Sequence, residues 1–308
     1  MACHIVVVGS LNMDLVVRAP RHPEAGETIL GSSFDTYPGG KGANQAVAAA
    51  RMGAAVKMIG CVGTDAFGEA LRSGLAREGV DVRHVLGTGD GTTGVALITV
   101  NAEGQNTIVV VPGANFLLTP GDVSAAQEAF VDADVVLLQL ETPLSTVECA
   151  LDLGHRYGAQ VVLNPSPAQP LPPALLSAVD HLVPNQFELG LLTGLATVEA
   201  AVHHLHEECG ALHLIVTLGA GGVTVSERGH QLHIPACKVP VVDATAAGDA
   251  FLGAFSVAVG EGCTVYEAAR LGNAAGALAV MHAGAQPSLP RRAEVEQLLK
   301  DTSTCQLK

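Results

Sequence analysis

From about residue 112 onward, short β-branched runs alternate with helix-forming segments, and this alternation limits the folds that the chain can adopt. Short continuous apolar runs are typical of strands that are buried on both faces. Strands that alternate with helices favour a mostly parallel sheet covered by helices on both faces. We therefore predict an α/β fold. The predicted strands are 135–139, 160–163, 181–183, 212–217 and 239–242, and the predicted helices are 143–157, 197–208, 247–259, 265–281 and 291–299.

The amino-terminal part begins the same pattern, with a strand predicted at 4–8, a helix at 41–52 and a further unit at 56–76. Two segments interrupt it, because 11–38 and 92–111 are rich in strand-forming residues. Within the second, a polar turn at 101–106 joins two β-branched runs and predicts a hairpin.

These interruptions divide the predicted chain into two parts. We predict that residues 1–10, 39–91 and 112–308 form an α/β core, and that 11–38 and 92–111 form a small β-sheet that could cover a site as a lid. An exposed apolar face on such a sheet favours dimerisation. The alternative is that these strands only extend the edge of the main sheet.

Composition excludes several classes of protein. Hydrophobic residues make up 48% of the 308 residues and charged residues 15%, which excludes general disorder. The net charge of −14, with 3% aromatic residues and no Trp, argues against a nucleic-acid partner. No apolar run is long enough to span a bilayer, and a strand begins near the amino end without a basic leader. We therefore expect a cytoplasmic protein with no membrane partner. Its seven scattered cysteines fit reduced thiols.

The segment 243–251 combines an anion-binding helix entrance with an acidic residue. It follows the predicted strand 239–242 and leads into the predicted helix 247–259. Small residues at 246–248 leave backbone N–H groups open to a ligand, and the helix dipole favours an anion there. Asp249 is a candidate base for an attacking hydroxyl. The alternative is an ordinary helix N-cap.

A glycine cluster at 39–42 leads into the predicted helix 41–52. Glycine lets the backbone approach a small ligand closely, and Asn44 offers both a donor and an acceptor. The segment lacks the Ser or Thr that follows the lysine in a Walker A motif. A tight turn without a ligand is the alternative.

Polar residues follow several predicted strands. Asn12 and Asp14 come shortly after strand 4–8, and alternate positions of an extended stretch point the same way. Glu141 follows strand 135–139. In α/β sheets the ligand crevice lies outside the carboxyl ends of the strands. Together these residues are candidates to bind sugar hydroxyls, although each taken singly is better explained as a solvated loop residue or a cap.

Two further segments have similar positions. Asn185 and Glu188 begin a predicted helix, where they either cap it or organise the waters of Mg²⁺ and phosphate oxygens. The turn 217–222 resembles a dinucleotide fingerprint only in part, because Thr224 stands where the last glycine is required. A turn that lines a nucleotide is the better interpretation.

These motifs, in this order, resemble the ribokinase family of sugar kinases, over essentially the whole chain. The most specific are 39–46, 12–14 and 243–251, with support from 113–115, 139–141, 164–168, Asn185 with Glu188, and 284–288. The resemblance implies an α/β core with a β-sheet lid whose pairing forms a homodimer. It also implies ATP-dependent phosphorylation of D-ribose at its 5-hydroxyl.

The resemblance assigns roles to the residues around the sugar. It implies that ribose is held by Asn12, Asp14, Gly40, Lys41, Asn44 and Glu141. It implies that Asp249 is the catalytic base, and that the anion hole is formed by Ala246, Ala247 and Gly248.

The resemblance also implies the nucleotide and cation sites. The nucleotide is lined by Asn185, Thr217, Gly219, Gly222 and Asn273, and Glu188 helps to place Mg²⁺ through water. A K⁺ activator lies in a site built, partly through carbonyls, from Asp243, Thr245, Ala279, His282, Gly284 and Ser288. Such a cation fixes the loop and adds positive field without entering the chemistry.

Two departures and three alternatives remain. Gln186 replaces a frequent Glu, which removes one charge near the metal, and Ala244 replaces a frequent Thr. The resemblance favours a ribokinase. The alternatives are a related kinase that acts on deoxyribose, another sugar or a nucleoside; a non-catalytic module that binds a sugar or a nucleotide; and an NAD-dependent oxidoreductase. The intact Asp249 segment disfavours the binding module, and the missing glycine fingerprint disfavours the oxidoreductase.

Overall fold

A computed structural model describes residues 2–207, 209–227 and 230–305. Glu208, the predicted end of one helix, lies outside the described residues, as do the first residue and the last three of the predicted core. Among the described helices, none combines the length and the hydropathy that a membrane span requires.

Within these residues, nine strands form one large sheet in the order β13-β12-β11-β10-β9-β8-β1-β4-β5. In this spatial order, the neighbouring strands from β11 through β1 to β5 run parallel, and β12 and β13 add an antiparallel end. The strands are β1 His4–Val8, β4 Ala55–Gly63, β5 Asp81–Thr88, β8 Val135–Leu138, β9 Gln160–Leu163, β10 His181–Leu182, β11 His213–Thr217, β12 Val223–Glu227 and β13 His230–Ile234.

Helices cover both faces of this sheet. Because successive side chains of a strand point to opposite faces, Val7 of β1 packs into one apolar cluster with Phe255, and Val8 packs into another with Phe130. The helices are α1 Lys41–Arg51, α2 Ala66–Arg77, α3 Pro120–Ala125, α4 Leu144–Tyr157, α5 Pro173–Ala178, α6 Gln186–Thr193, α7 Val198–Glu207, α8 Ala247–Gly260, α9 Val265–Ala279 and α10 Arg292–Cys305.

A second sheet of four strands is separate from the first within the described residues, in the order β3-β2-β6-β7. Its strands are β2 Asn12–Arg18, β3 Ser33–Gly39, β6 Gly94–Val100 and β7 Asn106–Val111, and the predicted hairpin of β6 and β7 is present. The predicted α/β fold with a small additional sheet is confirmed. The strands do not extend the edge of the main sheet.

The predicted strand 239–242 is wrong. The segment forms no ladder within the described residues, and the N–H groups of Val242 and Asp243 both donate to the carbonyl of Val280. Pro240 has no N–H to give to a sheet, and Val241 remains 71% exposed. The apolar run therefore serves as an irregular wall instead of a strand.

Helices α1 and α8 cross closely at a glycine. A Cβ at Gly253 in α8 would lie 2.4 Å from the Cβ of Ala48 and 2.7 Å from the N of Ala49 in α1. Since α1 and α8 carry the residues 41–45 and 249 singled out above, this contact sets the distance between them.

We predict that Gly253→Ala destabilises the protein by about 1–3 kcal/mol, because the added methyl overpacks the α1–α8 contact. The matched control is Gly74→Ala in α2, where only the side chain of Arg77 lies within 4 Å of the new Cβ. That change should stabilise by about 0.5–1 kcal/mol through helix propensity. Urea unfolding measures both, and equal effects of the same sign would contradict the packing argument.

Candidate active site

The amino end of α1 is capped by residues distant in sequence. Gly40, at φ 87°, precedes the helix, and no side chain of its own turn caps it. Instead Glu141 Oε2 accepts from Lys41 N–H (3.2 Å), and Ser10 Oγ accepts from Gly42 N–H (3.3 Å). Ser10 Oγ in turn donates to Glu141 Oε2 (2.5 Å). The loops after β1 and β8 are thereby fixed to the start of α1, where a carboxylate also favours the helix dipole.

Glycine is required for this close approach. A Cβ at Gly40 would lie 2.6 Å from Asn12 N, and one at Gly42 would lie 2.6 Å from Ser10 N. The glycine cluster is therefore a close contact between two loops, with the small sheet beginning at Asn12.

Asp249 lies buried between α8 and α1, with 8% of its surface exposed. Asn44 Nδ2 donates to its Oδ2 (3.0 Å), and Gln45 Nε2 donates to its Oδ1 (2.9 Å). Burial raises the pKa of Asp249, and the Lys41 ammonium and the two amide donors offset part of that rise. Asn44 Oδ1 is buried without a protein partner among the described residues, so it can accept from a ligand.

Lys41 lies within the field of three carboxylates. Burial disfavours its ammonium, but Asp249, Glu141 and Glu188 outweigh that effect and raise the pKa of Lys41. Lys41 therefore stays charged beside the buried aspartate.

Asn12 and Asp14 lie at the base of the small sheet, near the same helix entrance. Asn12 Oδ1 accepts from Asn115 Nδ2 (2.8 Å), which fixes the buried amide. The carboxyl of Asp14 lies against Gly39, where a Cβ would approach it to 2.3 Å. Burial and the charges of Glu141 and Asp249 raise the pKa of Asp14 to about 7. This carboxyl titrates close to neutrality.

The entrance of α8 is open, unlike that of α1. Ala246 precedes the helix in the left-handed region at φ 59°, the only non-glycine residue with positive φ in the described chain. No side chain caps this helix. Among the described residues no backbone carbonyl accepts from the N–H of Gly248. A strained alanine before uncapped N–H groups is typical of an anion site.

Two cavities meet at this entrance. The inner cavity, of about 230 Å³, is lined by Lys41, Asn164, Val183, Asn185, Glu188, Thr217, Ala244, Ala246, Gly248, Asp249, Phe251 and Leu252. The outer cavity, of about 660 Å³, adjoins the turn 217–222 and is lined partly by Gly219, Gly222, Val239, Val241, Asn273, Ala277 and Val280. Both cavities touch Thr217, Ala244, Gly248 and Phe251.

Asn185 and Glu188 form a reciprocal cap on α6. Asn185 Oδ1 accepts from Glu188 N–H, and Glu188 Oε2 accepts from Asn185 N–H, each at 2.8 Å. The cap holds both side chains at the inner cavity. Asn273 is likewise fixed, because its Nδ2 donates to the carbonyl of Pro235 (2.8 Å).

The proposed cation residues form two loops joined by Asp243. Its Oδ1 accepts from Thr245 N–H (2.9 Å) and Oγ1 (2.6 Å), and its Oδ2 accepts from Gly284 N–H (2.9 Å). Burial disfavours ionisation, but these hydrogen bonds lower the pKa of Asp243 overall. His282 N–H donates to the Ala279 carbonyl (3.2 Å), and Ser288 Oγ donates to the carbonyl of Ala285 (2.8 Å).

No cluster of three or more His, Cys, Asp or Glu in the described part of the chain is placed to hold a metal ion. The residues singled out for a cation offer carbonyl, hydroxyl and carboxylate oxygens. Oxygen donors of this kind suit hard cations.

Four residues of the site had no role in the sequence interpretation. Ser10 contacts Glu141, Asn115 contacts Asn12, and Gln45 contacts Asp249 directly. Gln139 Nε2 donates to Gln45 Oε1 (2.6 Å). Gln45, Asn115 and Gln139 lie within the recognised motifs, but no sequence pattern shows which side chain such residues contact.

Comparison with known proteins shows the family of this chain. The family model described as pfkB family carbohydrate kinase matches residues 3–292. The ribokinase of Haemophilus influenzae is 41% identical over 303 residues, which cover 96% of this chain and 98% of that protein. The ribokinase of Bacillus subtilis is 43% identical over 302 residues, covering 96% and 99%.

A solved structure extends the similarity to three dimensions. Arabidopsis thaliana ribokinase complexed with ribose and ATP superposes with a TM-score of 0.89 at 36% identity, covering 97% of this chain and 99% of that chain. The chain belongs to the pfkB family of carbohydrate kinases.

Proposed function

We propose that the protein is an ATP-dependent ribokinase that converts D-ribose to D-ribose 5-phosphate and ADP. The main support is the position of the buried Asp249. It lines the inner cavity, which meets the outer cavity at Gly248, and its carboxylate accepts from Asn44 at the start of α1. A phosphoryl group can pass there between a nucleotide and an alcohol. The ribokinases that this chain resembles over almost its full length support ribose as the acceptor.

Ribose binds, in this proposal, between the entrance of α1 and the base of the small sheet. Its hydroxyls pair with Asn12, Asp14, Asn44 and Glu141, and the backbone of Gly40 and the Lys41 chain complete the site. The orphan Asn44 Oδ1 supports this placement, because a buried acceptor without a partner is costly until a donor reaches it.

Asp249 acts as the general base on the 5-hydroxyl of ribose. As the ribose oxygen bonds to the γ-phosphorus, its proton passes to the Asp249 carboxylate, and the bond from phosphorus to the ADP oxygen breaks. The N–H groups at Ala246, Ala247 and Gly248 and the positive end of α8 stabilise the charge on the transferred group. Lys41 adds a fixed positive charge.

ATP occupies the outer cavity, with its base against Val239, Val241 and Val280 and its phosphates toward Gly248. Thr217, Gly219, Gly222, Asn273 and Asn185 line its path. When bound, Mg²⁺ neutralises phosphate charge. Glu188 would contact the ion only through a water molecule, because one of its oxygens already caps α6. The neutral Gln186 leaves Glu188 as the charged group on this turn.

K⁺ is proposed to bind among carbonyl and side-chain oxygens of Asp243, Thr245, Ala279, His282, Gly284 and Ser288. Asp243 is held ionised and already joins both loops. A cation there would steady the segment that leads into the anion hole.

The small sheet is proposed to act as a lid and to pair with a second copy. Phe34, Leu97 and Val109 on it are 61%, 48% and 60% exposed, an apolar surface that a partner sheet would cover. Sedimentation at micromolar concentration tests this pairing, and a purely monomeric species contradicts it. Among the cysteines whose side chains the structure describes, no disulfide forms, which fits a reducing cytoplasm.

A coupled ADP-release assay with ATP and Mg²⁺ over a panel of sugars tests the function. We expect ribose to give the highest kcat/KM, and Asp249→Asn to lower kcat by about 10²–10⁴-fold through loss of the base. Sugar affinity of that variant, measured calorimetrically, should stay nearly unchanged. A preference for deoxyribose, another sugar or a nucleoside would reassign the substrate. Near-normal turnover by folded Asp249→Asn would refute the assigned base.

Asp14→Asn should weaken ribose binding but stabilise the ligand-free protein, more at pH 8 than at pH 5. The folded pKa of about 7 exceeds the ordinary 3.8, so the folded state binds this proton more tightly. The free energy of unfolding therefore falls as pH rises from the ordinary pKa of Asp to the folded pKa of about 7, by at most about 4 kcal/mol. Melting temperatures at both pH values measure the effect. Asp35→Asn, exposed on the same sheet, is the control. An equal shift at pH 5 and pH 8 would contradict the raised pKa.

Replacing K⁺ by Na⁺ at constant ionic strength should lower kcat, because the smaller ion fits the same oxygens less well. Asp243→Asn should lose most of this difference, since its carboxylate joins the two loops. The exposed Asp90→Asn should retain it. Equal rates of the unaltered protein in both salts would count against the cation site.

A further inference from the structure

A chain of buried side-chain amides ends on the carboxylate of Asp249. Gln139, just after β8, donates from Nε2 to Gln45 Oε1 (2.6 Å), and Gln45 donates from Nε2 to Asp249 Oδ1 (2.9 Å). Both glutamines are fully buried. Asn44 supplies the donor to the other carboxylate oxygen.

The direction of this chain follows from chemistry. An ionised carboxylate only accepts hydrogen bonds, so Gln45 must turn its NH₂ group toward Asp249. Its carbonyl oxygen then faces Gln139, which must present its own NH₂ group. The orientation of both amides is thus set by the charge at the end of the chain.

We propose that Gln45 and Gln139 are positioning residues for phosphoryl transfer: Gln139 orients Gln45, and Gln45 orients the Asp249 carboxylate toward the sugar hydroxyl. This inference rests on the proposed role of Asp249 as the base. In this proposal neither glutamine contacts the reacting atoms. Gln45 acts through Asp249, and Gln139 acts only through Gln45.

Gln139 adds a cost that a purely structural role does not explain. Its Oε1 is buried and has no hydrogen-bond partner among the described residues. Its position also requires glycine at residue 9, since a Cβ there would lie 2.0 Å from this oxygen. An unsatisfied buried acceptor is rare in folded proteins and an apolar side chain would avoid it.

The charged groups that act on Asp249 come from several elements. Lys41 of α1 favours its ionised form, and Glu141 after β8 opposes it. The charge of Asp249 raises the pKa of Asp14 in β2, and the charge of Glu188 in α6 raises the pKa of Lys41. The variants below leave all four charges in place, so a change in the pH profile reports the amide contacts.

The test compares Gln45→Met, Gln139→Met and the double variant, since Met has a similar length but no donor. Gln45→Met should lower kcat for ribose by about 10- to 100-fold, as loss of a hydrogen bond to a charged group does. KM should change by less than about threefold, because binding of the sugar is not affected. Gln139→Met should give a smaller loss in kcat without a fall in melting temperature. The double variant should be no slower than Gln45→Met, since both act through one contact.

Ser256→Ala is the matched control, because its hydroxyl is buried on α8 and also has no partner in the described chain. It should leave kcat and KM unchanged. The acid limb of kcat/KM should move up by about one pH unit in Gln45→Met and stay in place in the control.

A ¹³C titration of the Asp249 carboxyl in the ligand-free protein gives a readout that does not need activity, with Asp249→Asn for assignment. The same upward shift is expected in Gln45→Met. If the unaltered protein phosphorylates no sugar, the proposed function fails, and this titration still decides whether the amide chain acts on Asp249. Unchanged kcat and titration in Gln45→Met, or losses that simply multiply in the double variant, would overturn the proposal.

Discussion

Burying a carboxylate costs free energy unless donors and a counter-charge meet it, and the site depends on how Asp249 meets that requirement. Two amides of α1 donate to its oxygens, and Lys41 of the same helix supplies the charge. These contacts exist only because α8 approaches α1 closely at Gly253. The close crossing of α1 and α8 in the core therefore holds the residues of the site together.

The two helix entrances at the site are treated in opposite ways. Residues from the loops after β1 and β8 cap the N–H groups of α1, which fixes the loops that surround the proposed sugar. The N–H groups of α8 have no side-chain cap and follow an alanine held at positive φ. The N–H of Ala247 donates to the carbonyl of Ala244 (3.3 Å), whereas that of Gly248 has no backbone acceptor among the described residues. Free donors at a helix start are a cost in the absence of a ligand and a ready site for an anion. This contrast explains why the phosphoryl group is proposed to meet α8 and the sugar to meet α1.

Much of this could be predicted from the sequence, because strong periodic patterns and strand-end positions are local. The β–α alternation and the hairpin of β6 and β7 follow from such patterns, as does the position of Asp14 near the charge of Glu141. The strand prediction for 239–242 was wrong because an apolar, β-branched composition does not show whether a segment has a neighbouring strand to pair with. The roles of Ser10 and Gln139 were missed for a related reason, since their partners lie more than ninety residues away in the chain. The site-residue roles themselves stay predictions.

The proposed mechanism requires Asp249 to receive the proton of the ribose 5-hydroxyl beside the entrance of α8. A crystal structure with ribose and a non-hydrolysable ATP analogue tests it most directly. We expect the ribose O5 about 2.6–3.2 Å from an Asp249 oxygen and in line with the γ-phosphorus, and the γ-phosphate at the N–H of Gly248. Ribose bound with O5 directed away from Asp249, or a γ-phosphate remote from the entrance of α8, would contradict it.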